Sequence, residues 1–167
     1  MLDIEPEWVH IHLRLAAIHS KKTWKEIQLK LLRERELKEQ AILKRYFKSV
    51  PENYQLVKNV YRFIENETNG DSIKYGSEVS LDYKGSFLNG YVFDNTNIKG
   101  VTPTFTFGKE YQMIEGLQLG LVGLKEGQTV KIILPSQLAF GEEGSLSGIV
   151  PPFTAVKFEI NIIKVIN

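Results

Sequence analysis

The sequence predicts an α+β protein in which a helical extension precedes an antiparallel-sheet domain. Three observations support this prediction. The first fifty residues contain helical spacing and a helix-start signal, the rest contains several segments that alternate apolar and polar side chains, and one short apolar helical pattern lies among those segments. Strands around one such helix are typical of α+β domains, so we divide the chain into an extension, 1–50, and a domain, 51–167.

Near the N-terminus, Pro6 suits a first helical turn. The apolar residues that follow it at helical spacing are Trp8, Ile11, Leu15 and Ile18. The segment from Val9 to Leu15 also alternates, so a strand remains an alternative there.

A second helix start is clearer. Thr23 and Glu26 have the spacing of a capping box, and the helix that they open should end before Pro51. Its polar middle, RERELKEQ (33–40), is expected to be solvated on all sides. The extension is therefore a candidate dimerisation element, with packing against its own domain as the alternative.

The domain is expected to begin with strands and to contain one buried helix. The alternating segments are 55–65, 77–83, 102–107, 129–135 and 156–166, and a turn at Asn89-Gly90 lies within FLNGYVF (87–93). The apolar helical pattern covers 111–127 and should end near Gly123 or Gly127. Because this helix is apolar nearly all round, it should lie in the hollow of a curved sheet.

Composition excludes several classes of protein. The chain has 167 residues, 43% of them hydrophobic, and a formal net charge of +1, which argue for a real core and against a nucleic-acid or membrane-surface role. It contains neither a run of eighteen apolar residues nor a signal-peptide pattern after Met1. The absence of cysteine excludes disulfides and zinc–thiolate sites.

The charges are unevenly distributed, and the three histidines lie near the N-terminus. Residues 1–70 carry 13 Lys and Arg against 10 Asp and Glu, an excess that a solvated helix face explains better than a nucleic-acid site. His10 and His12 are spaced as metal ligands on a strand can be, but a pair without a third ligand does not predict a metal site. We expect no cofactor.

Three ordered blocks of the domain resemble the FKBP family of peptidyl-prolyl cis-trans isomerases. They are VSLDYKGSFLNGYVFDNT (79–96), FTFGKEYQMIEGLQLGLVGLKEGQTVKIILP (105–135) and LAFGEEGSLSGIVPPFTAVKFEINIIKV (138–165). The resemblance implies a five- or six-stranded antiparallel sheet wrapped on one short helix. It also implies isomerase activity on X-Pro bonds of polypeptides, which would assist protein folding.

The resemblance further implies an apolar proline pocket. Its expected catalytic residues are Tyr83, Phe93, Asp94, Ile114, Leu117, Phe140 and Phe158, and its expected substrate-binding residues are Phe105, Met113, Ile149 and Val150. The backbone N–H of Ile114 would hold a substrate carbonyl, and Asp94 would accept a hydrogen bond from Tyr83. Isomerisation makes and breaks no covalent bond, so the lack of a candidate catalytic His or Cys agrees with this activity.

Three positions depart from the family pattern. Leu117 replaces the usual tryptophan floor, Phe140 replaces a tyrosine whose hydroxyl bond is worth on the order of 1 kcal/mol, and Pro103 replaces an aromatic residue at the pocket edge. The loop around Ser145 and Leu146 also looks one residue longer. These departures favour an alternative function, a weakly active or inactive FKBP-fold chaperone or peptide-binding module.

The layout of 1–50 is similar to that of extended FKBPs of bacterial envelopes, including the macrophage-infectivity-potentiator type, which are often dimers, exported or lipid-anchored. We therefore expect a bacterial envelope location, periplasmic or lipid-anchored, with a cytoplasmic location as the alternative. The expected partners are proline-containing polypeptides, macrolides as candidate ligands, and a second copy bound through the N-terminal helices.

Overall fold

The structure is a computed structural model that describes residues 14–167. The chain divides into two compact units, Met1–Glu34 and Arg35–Asn167. The helix or strand predicted between Pro6 and Leu13, and the pair His10 and His12, lie outside the described residues. In the first unit, residues 14–20 have no regular secondary structure, and helix α1 (Lys21–Ser49) begins directly after them.

The start of α1 differs from the predicted capping box at Thr23. The helix begins at Lys21, and the hydroxyl of Ser20 accepts a hydrogen bond from the backbone N–H of Thr23 at 3.1 Å. Ser20 is therefore the capping residue, because its side chain satisfies an N–H that the first turn leaves free. The predicted end before Pro51 is confirmed, since α1 ends at Ser49.

In the second unit, the C-terminal half of α1 packs against the sheet. Leu43 is buried together with Ile133 and Ala155, and Tyr46 and Phe47 pack around them. Glu39 is also buried, at 8% exposure, so the prediction that 33–40 is solvated on all sides is wrong at this position. The division between the two units falls within the residue range of α1, between Glu34 and Arg35. A domain boundary after residue 50 stays a prediction.

The first predicted strand, 55–65, is a hairpin of two strands. Its strands β1 (Gln55–Val57) and β2 (Val60–Ile64) pair through Val57 and Val60, and the two turn residues, Lys58 and Asn59, have φ of 49° and 66°. Two consecutive left-handed residues form the tight turn that suits the twist of a hairpin. Alternation alone did not reveal this turn, because the apolar pattern continues through it.

The described residues form a seven-stranded antiparallel sheet. The remaining strands are β3 (Glu78–Phe87), β4 (Val92–Asn95), β5 (Thr104–Thr106), β6 (Thr129–Leu134) and β7 (Val156–Ile166). The strand order is β1-β2-β6-β7-β3-β4, and β5 pairs with β3 beside this path. The predicted α+β class is confirmed, and the sheet has more strands than the expected five or six.

Helix α3 (Glu115–Leu121) packs on one face of this sheet, and α2 (Thr96–Lys99) follows β4. Helix α3 is shorter than the predicted 111–127 because residues 111–114 are not helical and Gly123, at φ 72°, follows its C-terminal end. The guanidinium of Arg62 donates hydrogen bonds to the carbonyls of Gly120 and Val122, which satisfies acceptors at that end. No helix in residues 14–167 is both long and apolar enough to cross a membrane.

Candidate active site

A pocket of about 210 Å³ lies between α3 and the sheet. The structure brings to it all of the predicted catalytic residues, together with Phe105 and Met113. Its lining is Leu81, Tyr83, Phe93, Asp94, Phe105, Gln112, Met113, Ile114, Leu117, Leu121, Phe140, Phe158 and Ile160. Four strands, helix α3 and two loops thus converge on one cavity whose walls are mainly apolar.

The structure does not bring Ile149 and Val150 to the pocket wall. Ile149 is 53% exposed, whereas Val150 is 2% exposed and belongs to the core. Neither residue lines the pocket, so their role in substrate binding stays a prediction.

Four of the lining residues were not predicted from the sequence, namely Leu81, Gln112, Leu121 and Ile160. Strand periodicity could have found two of them, because Leu81 lies two positions before Tyr83 on β3 and Ile160 lies two positions after Phe158 on β7. The side-chain oxygen of Gln112 accepts the backbone N–H of Thr106 at 2.7 Å. This contact across the loop could not be predicted from spacing.

The back wall of the pocket is a cluster of aromatic rings. The ring of Phe93 stands edge-on to Phe158 at 6.0 Å and 88°, and edge-on to Phe140 at 6.3 Å and 84°. Tyr83 lies 6.0 Å from Phe158. Edge-to-face packing of this kind is favourable beyond the buried area, so the rings hold one another in place.

Gly85 on β3 makes room for this wall. A Cβ at Gly85 would come within 2.7 Å of Cε2 of Phe93 and 3.1 Å of Cε1 of Phe158. The two rings therefore rest directly on the strand backbone, and a larger residue would push them into the pocket.

The polar edge of the pocket is a hydrogen-bonded pair. The hydroxyl of Tyr83 donates to Oδ2 of Asp94 at 2.9 Å, as the sequence analysis predicts, and Nζ of Lys99 on α2 lies 2.6 Å from Oδ1 of Asp94. Burial raises the pKa of Tyr83 to about 12, and the bond to Asp94 adds to that rise. Burial alone would also raise the pKa of Asp94, but Lys99 and Tyr83 outweigh it and hold that pKa below its usual value.

Replacing Lys99 by Met is expected to raise the pKa of Asp94, because burial then acts without the opposing ammonium. Since folding lowers this pKa, the ionised Asp94 stabilises the folded state above the unfolded-chain pKa of about 3.9, and this stabilisation disappears as the pH falls through the lower folded-state pKa. The variant should lose this acid-dependent part of its stability at a higher pH. A carboxyl-carbon NMR titration of Asp94 checks the shift, and an unchanged pKa would show that Lys99 does not control it.

Ile114 lies at the start of α3 and presents a free backbone donor. Its backbone is extended, at φ −63° and ψ 147°, and its carbonyl accepts the N–H groups of Leu117 and Gln118. Its own N–H donates no hydrogen bond within residues 14–167. A carbonyl of a bound peptide could therefore accept this N–H without breaking an existing bond.

Leu117 and Phe140 supply walls without polar groups. Both are half-buried. Of the lining side chains, only Tyr83 and Asp94 titrate, and each is engaged with the other. Within the described part of the chain, no three His, Asp or Glu residues cluster in a way that could hold a metal ion. The pocket can therefore enclose an apolar ring and exclude water, but it contains no evident machinery for proton transfer.

The fold and the pocket together define a class of protein, in which an antiparallel sheet and the short helix α3 enclose a pocket lined mainly by apolar and aromatic side chains. The family model described as FKBP-type peptidyl-prolyl cis-trans isomerase matches residues 70–163. The chain belongs to this family.

Relatives of known sequence and structure agree with this assignment. FK506-binding protein 3 of Dictyostelium discoideum is 35% identical over 102 residues, 60% of this chain and 52% of that protein. Peptidyl-prolyl cis-trans isomerase Mip of Chlamydia pneumoniae is 34% identical over 145 residues, 83% of this chain and 53% of that protein. The chain thus spans about half the length of these two relatives.

Among solved structures, FkpA from Escherichia coli is similar to this chain with a TM-score of 0.68 and 23% identity. The match covers 87% of this chain and 65% of FkpA. Because the sequence identity is only 23%, this similarity supports the fold alone.

Proposed function

We propose that this chain catalyses the cis-trans isomerisation of X-Pro bonds in polypeptides and thereby assists protein folding. The observation that carries the proposal is the aromatic pocket of about 210 Å³. Its two titratable side chains, Tyr83 and Asp94, are joined by a hydrogen bond. Membership of the family supports the same activity.

The pocket suits the physics of this reaction. The barrier is the loss of amide resonance, about 18–20 kcal/mol, and X-Pro bonds are suitable targets because their two forms differ by only about 1 kcal/mol. A twisted amide is less dipolar than a planar one, so an apolar, water-excluding wall favours it. The N–H of Ile114 would fix a substrate carbonyl, which holds the substrate backbone while the X-Pro C–N bond rotates.

The direct test is the rate of cis-to-trans conversion in a set of X-Pro peptides with different residues before the proline. The uncatalysed conversion takes tens to hundreds of seconds, so catalysis is readily measured. A rate that rises in proportion to protein concentration supports the proposal. A rate equal to background for every peptide contradicts it.

The second candidate function is an FKBP-fold module that binds peptides or unfolded chains with little catalysis. It is favoured by Leu117, which leaves the floor of the pocket without a broad aromatic face, and by Phe140, which brings no hydroxyl to its side of the wall. A peptide that binds the pocket in an NMR titration but isomerises at the background rate would establish this alternative.

Replacing Leu117 by Trp is expected to raise kcat/KM by roughly threefold to tenfold if the floor limits catalysis, because an aromatic contact is worth about 0.5–1.5 kcal/mol. Peptide isomerisation and thermal unfolding should be measured together. A variant that folds normally yet works no faster would contradict the argument about the floor.

We also propose a bacterial envelope location and a dimer formed through α1. The location is supported by the match to a Mip protein across most of this chain. The dimer is supported by the exposure of Trp24 and Leu29 on α1, at 53% and 57%. A sedimentation mass equal to one chain at high concentration would contradict the dimer.

Macrolides are candidate ligands of the aromatic pocket, since one relative is named for FK506 binding.

A further inference from the structure

A buried carboxylate on α1 contacts the segment that leads into the pocket wall. Glu39 is 8% exposed and Ser136 is 1% exposed. Oε1 of Glu39 accepts the backbone N–H of Ser136 at 2.6 Å, and Oε2 accepts its hydroxyl at 2.7 Å. Both carboxylate oxygens are therefore committed to one residue that begins the 3₁₀ turn Ser136–Leu138.

Ser136 in turn fixes the backbone on both sides of Phe140. Its carbonyl accepts the N–H of Ala139 at 3.0 Å and the N–H of Gly141 at 2.7 Å. Phe140 lies between these two donors and lines the pocket. The three polar groups of Ser136 thus connect Glu39 on one side with the Phe140 segment on the other.

The same face of α1 reaches the far side of this segment. The guanidinium of Arg35, one helical turn before Glu39, lies 4.9 Å above the ring of Phe153. The N–H of Phe153 donates to the carbonyl of Gly141 at 3.0 Å. Two side chains of α1 therefore contact the chain before and after Phe140.

We propose that Glu39 is a positioning residue for the active site, which acts by holding Ser136 and so sets the place of the Phe140 ring in the pocket wall. This inference rests on the proposed isomerase function for its effect on catalysis. Its physical basis is that a buried carboxylate and its buried donors must remain paired, because an unpaired group loses its solvation without compensation.

Glu39→Ala is expected to lower kcat/KM for X-Pro peptides about tenfold, through a higher KM, because a small displacement of a wall that contacts bound substrate weakens binding throughout the reaction. Glu36→Ala is the matched control. Glu36 lies on the same helix, carries the same charge and contacts the exposed Gln137 side chain at 3.1 Å, so its loss should leave KM unchanged. An unchanged KM in Glu39→Ala, or an equal rise in both variants, would overturn the inference.

Two further variants separate positioning from bulk stability. Glu39→Gln retains an acceptor for the Ser136 N–H and gains a donor for its hydroxyl, so it should restore most of the activity. If Glu39→Ala does not fold, Glu39→Asp takes its place, since the shorter side chain cannot keep both contacts at their lengths. A Gln variant as impaired as the Ala or Asp variant would contradict the role of these hydrogen bonds.

A double-variant comparison tests whether Glu39 acts through Phe140. In a Phe140→Ala background, replacing Glu39 by Ala should change KM by less than about twofold, because the ring that it positions is absent. A further rise as large as in the parent protein would show that Glu39 acts by another route.

An NMR measurement decides the inference even if the parent protein proves inactive. The amide signals of Ala139 and Gly141 and the ring signals of Phe140 should shift in Glu39→Ala and remain in place in Glu36→Ala. Background-level isomerisation by the parent protein would contradict the proposed function alone. Unmoved signals in Glu39→Ala would overturn the positioning role whatever the activity.

Discussion

Phe93→Ala is expected to lower kcat/KM for X-Pro peptides by on the order of 100-fold while the protein remains folded. The ring contacts both Phe158 and Phe140 edge-on and rests on the backbone at Gly85, so it holds the wall together. Its removal opens the cavity to water and releases two neighbouring rings, and a loss of fit of about 1 Å is sufficient for an effect of this size.

The effect on stability should be much smaller than the effect on activity. Phe93 is only half-buried, so its removal should cost about 2 kcal/mol of unfolding free energy. The control is Phe63→Ala. Phe63 is also half-buried, but it lies outside the pocket lining, against Tyr54 at 5.9 Å. The Phe63→Ala variant should lose a similar amount of unfolding free energy and keep its kcat/KM within about twofold of the parent protein.

Peptide isomerisation and urea unfolding of both variants decide between two explanations. If the two variants lose equal stability and only Phe93→Ala loses activity, the pocket is the catalytic site. If both lose activity in proportion to their stability, Phe93 is a core residue without a special role in the reaction.

The lining of the pocket could be predicted where short-range pattern and family resemblance agree. Tyr83 and Phe158 lie on long strands with an alternating pattern, and strand periodicity fixes the face to which each side chain points. Ile149 and Val150 lie in a loop instead. There, the hydroxyl of Ser145 accepts the N–H of Val150 and Gly148 has φ 72°, and these local contacts direct the side chains.

Two other features depended on contacts that sequence spacing does not report. The turn at Lys58 and Asn59 needs a left-handed backbone, which lysine rarely adopts. The sequence therefore predicted one continuous strand where the structure has a hairpin. Glu39 lies in a run of charged residues, and its partner Ser136 follows 97 residues later. A charged residue in a polar run is normally solvated, so only the folded chain shows that this one is buried.

Gly116→Ala is expected to destabilise the protein by about 2 kcal/mol, although alanine is the better helix former by about 1 kcal/mol. A Cβ at Gly116 would come within 2.5 Å of the carbonyl oxygen of Leu138 and 2.8 Å of Cδ2 of Leu134. The first of these is backbone in the 3₁₀ turn, which cannot rotate away. Helix α3 would have to move out from the turn, and the pocket floor at Leu117 would move with it.

Gly120→Ala is the comparison that isolates this backbone clash. The nearest atoms to its Cβ would all belong to the side chain of Ile132, with Cδ1 at 2.8 Å and Cγ2 at 3.1 Å. Ile132 is fully buried and β-branched, so its side chain can give way only in part, but no backbone has to move. The gain in helix propensity offsets part of the cost, so the loss should be about 1 kcal/mol, smaller than for Gly116→Ala. Urea midpoints at constant m-value measure both variants. Equal losses would show that helix packing against the sheet, rather than the turn at Leu138, limits the approach of α3.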